Sequence, residues 1–137
     1  MKFFKDCGND FSQRDVYLNY ADMKDQAAIQ ERYLRDKLPV RLGGLAANLA
    51  RIKSFSDYPD HQDVVESLLE ESKFFIEWTV PDAELEVQTE LVELQLQLAR
   101  WQHRWDNIWA DPAQRATVAE QAHEWSKRVL EMSGLLR

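Results

Sequence analysis

At 137 residues and 45% hydrophobic composition, the chain has the size and the apolar content of one globular domain with a substantial core. Its net charge of −7 argues against general nucleic-acid binding, which depends on neutralising phosphates. The single cysteine, Cys7, leaves no partner for a disulfide and no thiolate set for a structural zinc, and it fits a reducing, cytoplasmic setting.

Residues 1–11 read as a short tail. MKFFKDCGND turns polar too early for a secretory signal, and no apolar run is long enough to span a membrane. One helical-bundle domain is expected over 12–137. Its first helix starts at Ser12, with Asp15 at capping-box spacing, and carries Val16, Tyr20, Met23, Ala27 and Leu34 to about Lys37. Pro39 breaks or kinks the chain, because the preceding residue, Leu38, is steered away from helical geometry. A second helix over 39–55 places Leu42, Leu45, Leu49 and Ile52 on one side. Gly43 and Gly44 fall inside this pattern, each costing about 1 kcal/mol relative to alanine in a helix interior, which points to close approach of another backbone or else to a helix that starts after the glycines.

SFSDYPD is a loop by composition. Asp60 is the expected cap of a third helix running to about Trp78, with Asp63 favourably placed in its first turn. Phe74, Phe75 and Ile76 are consecutive, so this helix is either central in the bundle or presents one side to an interface. A fourth helix, 82–110, has the clearest pattern. Val87, Leu91, Leu94, Leu98, Trp101, Trp105 and Ile108 alternate spacings of four and three. Asp111-Pro112 stops that helix and starts a fifth, with Asp as cap and Pro at the first helical position. Val118, Ala122, Trp125, Val129, Met132 and Leu136 give the fifth its stripe, and Gly134 can terminate it. The fold class is therefore all-α, an antiparallel up-and-down bundle of four to five helices, with the last two forming a hairpin.

Charge is unevenly distributed. Between Asp57 and Ala99 there are twelve acids and one base, Lys73, whereas 32–53 holds six bases and one acid, Asp36. The basic stretch offers Arg35, Arg41 and Arg51 as a candidate docking face for an acidic protein partner. Pairing of basic and acidic helices at their rims is the plainer alternative.

Trp101, Trp105 and Trp125 lie on seams expected to face each other. They could line a cavity for a flat aromatic cofactor, or they could simply fill a wide core. Glu120 and His123 form a single Glu-x-x-His pair, where a di-iron bundle needs two such pairs and two further glutamates. Cys7 stands in no nucleophile motif, and no phosphate-binding loop is present. No catalytic residue, bound metal or resident cofactor is expected from these patterns.

The stretches LPVRLGGLAANLARIKSF, KFFIEWTVPD and LARWQHRWDNIWADP, with EWSKRVLEMSGLL near the end, resemble small all-helical proteins of unknown function from cyanobacteria. The resemblance implies a cytosolic protein and supplies no activity. The expected function is a non-enzymatic protein-interaction or scaffold bundle that self-associates as a homodimer. A carrier of a flat aromatic ligand is the alternative.

Overall fold

The computed structural model describes residues 25–136. The chain falls into two compact units, Met1–Arg35 and Asp36–Arg137. In the first unit residues 25–35 are helical (α1), and Glu31 and Arg35 pair across one turn at 3.7 Å. The expected tail, the expected helix start at Ser12, and Cys7 lie outside the described residues.

The second unit contains α2 (Leu38–Phe55), α3 (Gln62–Thr79), α4 (Leu85–His103), α5 (Trp105–Ala110) and α6 (Pro112–Ser133). Short 3-10 turns, Pro59–His61 and Val80–Asp82, precede α3 and α4. There is no strand among the described residues, and the protein is an all-α bundle.

Local chemistry sets most helix ends. Lys37 is extended (φ −68°, ψ 157°), and α2 opens directly on Leu38 with Pro39 in its first turn, where the missing N–H costs nothing. The turn is thus taken up by Lys37 and not by Leu38. Asp111 caps α6 by accepting the Ala113 N–H at 2.9 Å. Gly134 ends it with φ 76°, the left-handed geometry that glycine adopts at low cost. Asp60 does not cap α3. It is held within the Pro59–His61 turn, and the residue flanking α3 is His61, which makes no side-chain cap bond.

The expected 82–110 helix is two helices. Arg104 leaves helical geometry (φ −114°, ψ 24°), and its N–H falls back on the Trp101 carbonyl at 3.2 Å. Neither glycine nor proline marks this break. It turns α5 so that both of its indoles reach the start of α3. Trp109 Nε1 donates to the Pro59 carbonyl at 2.8 Å and Trp105 Nε1 to the Gln62 carbonyl at 3.4 Å. Burying an indole without such an acceptor would leave a polar N–H unsatisfied.

Cross-helix contacts fix the directions. Arg41 near the start of α2 meets Asp82 beyond the end of α3, and Gln62 at the start of α3 meets Asp106 in α5. Gly43 lies beside Leu135, and Ala46 beside Ser126. Successive long helices therefore alternate up and down. α2 packs against both α3 and α6, and α3 packs against α4.

The last two expected helices run antiparallel as a hairpin, with α5 packed on α6 and Arg128 of α6 paired with Glu90 of α4, but this is not the main contact of α6. The main neighbour of α6 is α2, with α4 touching it only sparsely. Small residues explain the choice. Ala46 on α2 is small and buried, Ser126 Oγ on α6 donates to its carbonyl at 2.8 Å, and Gly43 leaves room for the Leu135 side chain just past the end of α6. Between them the helices enclose one core that includes Leu45, Leu49, Ile52, Leu69, Leu91, Leu94, Leu98 and Val129. The consecutive Phe74, Phe75 and Ile76 divide their roles. Ile76 enters the core, Phe75 packs at its edge, and Phe74 stacks on Trp78 of the same helix at 5.6 Å.

Candidate functional site

The three tryptophans of the expected cavity do not form one lining. Trp101 and Trp105 are buried in the core, whereas Trp125 is half-buried at its margin. Arg128 lies over the Trp125 ring, 3.9 Å from its centroid, and also pairs with Glu90 on α4. Trp109 is as buried as Trp101 and packs against Trp105 at 5.3 Å. Arg115 covers the Trp109 ring at 5.3 Å while donating to the Trp109 carbonyl at 2.9 Å. The indoles thus close the end of the bundle where α5 meets the start of α3.

The three arginines of the expected docking face have different fates. Arg35 is exposed on α1 and paired with Glu31. Arg41 is buried, with its Nη1 3.0 Å from Asp82 Oδ2, so its charge is not displayed on the surface. Arg51 is exposed and donates to Asn48 Oδ1 at 2.7 Å, while the buried Asn48 donates in turn to Glu71 at 3.0 Å. This chain of bonds ties a basic helix to an acidic one at their shared rim, and Arg41 with Asp82 does the same nearer the other end.

The histidines are scattered. His103 and His123 are exposed. His61 is half-buried and meets the Phe55 ring edge-on at 5.2 Å and the Tyr58 ring at 5.4 Å. No group of three or more His, Cys, Asp or Glu side chains among the described residues is placed to hold a metal. Among those residues, too, no helix is long and apolar enough to cross a membrane. Asp111 is a carboxylate held below its usual range. The Gln114 side chain and the Ala113 N–H both donate to its ionised form, which makes it a helix cap in its charged state.

The face that sequence reasoning passed over is the outer side of α4. Val87, Leu91, Leu94, Leu98 and Trp101 turn inward, and four of these five are fully in the core. Directly opposite run Leu85, Thr89, Val92, Leu96, Ala99 and His103, all exposed. Leu85 is 76% exposed, Val92 49% and Leu96 52%. These six alternate spacings of four and three just as the core seam does, so one helix carries two heptad stripes on opposite sides. The signal was present in the sequence. It was masked because Glu86, Glu90 and Glu93 stand between the apolar residues in the linear order and make the outer side read as a solvated acidic face.

The chain matches no family profile, no curated protein and no solved structure.

Proposed function

We propose that this protein is a non-enzymatic interaction bundle that works as a homodimer in the cytoplasm. The observation that supports it is the second heptad stripe on α4. A lone surface leucine needs no explanation, but Leu85, Val92 and Leu96 recur on one line of one helix, at the spacing that packs helices together. None of the three belongs to the core formed by the described residues.

The carrier reading gains no comparable support. Its tryptophans are occupied in packing, and two indole N–H groups of the same cluster are consumed by the carbonyls of Gln62 and Pro59. An acidic partner on the basic stretch would have Arg51 to work with, but Arg41 is engaged with Asp82.

The test is sedimentation velocity of the full chain over a wide concentration range. A species of twice the chain mass that grows with concentration supports the reading. A monomer throughout removes it.

A further inference from the structure

We propose that the outer face of α4 is a homodimer seam, occupied by the same face of a second copy packed antiparallel to it. The inference rests on the self-association reading above and adds the surface, the partner and the register.

Three observations carry it. The first is length. The stripe runs the whole of α4, from Leu85 to His103, about 27 Å at 1.5 Å per residue. That is enough for a short two-helix seam with Val92 and Leu96 at its middle. The second is symmetry. If one helix runs against its copy about that middle, Val92 meets the second copy's Leu96, Thr89 meets its Ala99 and Leu85 meets its His103. Val92 and Leu96 then meet around the two-fold axis, Leu85 lies at the two ends, and the self-complementary patch that a two-fold dimer requires is satisfied.

The third observation is charge, and it selects the direction. Beside the stripe, on one flank, stand Glu86, Glu93 and Arg100; on the other stand Gln88, Gln95 and Gln102. In the antiparallel register like flanks meet. Glu86 faces the second copy's Arg100, and Arg100 faces its Glu86, giving two opposite-charge pairs. Glu86 and Arg100 are both exposed, and neither has an ion pair among the described residues. Glu93 meets its own copy at the centre, which is the one unfavourable contact of the seam. A parallel pair would set each charged flank against the glutamine flank and leave Glu86 and Arg100 without partners.

The experiment measures association of the full chain by sedimentation, for the wild type, Glu86→Arg, Arg100→Glu and an equimolar mixture of these two variants, with helicity checked by circular dichroism. Each variant alone places like charges at both ends of the seam, and its dimer dissociation constant should rise about tenfold. The mixture restores both opposite-charge pairs, so heterodimers should form with near wild-type affinity. Val92→Glu, at an exposed position, should give a folded monomer. If the wild type dimerises and the two charge variants do so equally well, or their mixture shows no rescue, the antiparallel α4 seam is overturned while self-association stands. If Val92→Glu alone disrupts the dimer, the face is used in another register and the proposal fails as stated. A wild type that stays monomeric overturns the seam and the self-association reading together.

Discussion

Ser126 Oγ donates to the Ala46 carbonyl at 2.8 Å, a side-chain bond from α6 to the backbone of α2. Such a bond forms only where two helices come close enough for a hydroxyl to reach past the partner's side chains. Ala46 and Ala122 leave that room, both being buried and small. Ser126→Ala should cost about 0.5–1.5 kcal/mol, the usual net value of one hydrogen bond. Ala46→Leu should cost more, about 1–3 kcal/mol, by forcing the helices apart. Urea denaturation of both variants checks the order, and a harmless Ala46→Leu would mean that α2 and α6 are not held at this spacing.

The two stripes of α4 make opposite predictions for neighbouring leucines. Leu94 is fully buried, so Leu94→Ala should destabilise the fold by about 2–5 kcal/mol through lost burial and a residual cavity. Leu96, two residues on and half-exposed, should change the stability of the folded chain by no more than about 0.5 kcal/mol when cut to alanine. Thermal melts at low protein concentration, where association makes no contribution, separate the two. Equal losses would mean that the outer stripe is part of a core.

Some of this architecture was legible in the sequence, and the exceptions have physical causes. Asp111-Pro112 and Gly134 act where they stand, because capping and left-handed geometry are local chemistry. The break at Arg104 carried no local signal. It comes from the distant carbonyls of Pro59 and Gln62, which take the indole N–H groups of α5. The preference of α6 for α2 over α4 was equally hidden, since small residues at Gly43, Ala46 and Ala122 matter only once two helices are brought together. The glycine pair was read as a sign of close approach, and at Gly43 the neighbour is the Leu135 side chain, 2.8 Å from where a Cβ would stand. Of the arginines chosen for a docking face, Arg41 could not be told from its neighbours by sequence, because only the fold brings Asp82 to it.

Arg41 and Asp82 also make an asymmetric pair. The Arg41 side chain is 8% exposed and Asp82 is 55% exposed. Removing the acid takes the Asp82 charge away from a buried guanidinium, whereas removing the base leaves a carboxylate that water can reach. Asp82→Ala should therefore cost about 1–2 kcal/mol, reduced from the fully buried case because the acid itself is half in solvent. Arg41→Met, which keeps most of the buried stem, should cost less. Chemical denaturation of the two variants tests the inequality, and the reverse order would show that Arg41 contributes mainly by packing.

Asp111 links the fold to acid. Its carboxyl is held below the ordinary value of 3.8, first by the Gln114 side chain and then by the Ala113 N–H. A carboxyl whose folded value is depressed contributes stability that is fully present above the unfolded value. That contribution is lost as pH falls through the lowered folded value. Between neutral pH and about pH 5 this group should therefore leave stability unchanged, and below the ordinary range its protonation should weaken the start of α6. Asp111→Asn keeps an acceptor oxygen for the Ala113 N–H but removes the titration, so the variant should lose stability less steeply than the wild type on acidification. Asp111→Ala should be less stable than either at neutral pH. Thermal melts of the three proteins from neutral pH down to strongly acidic buffer provide the measurement. Parallel wild-type and Asn profiles would mean that Asp111 caps α6 without coupling its charge to folding.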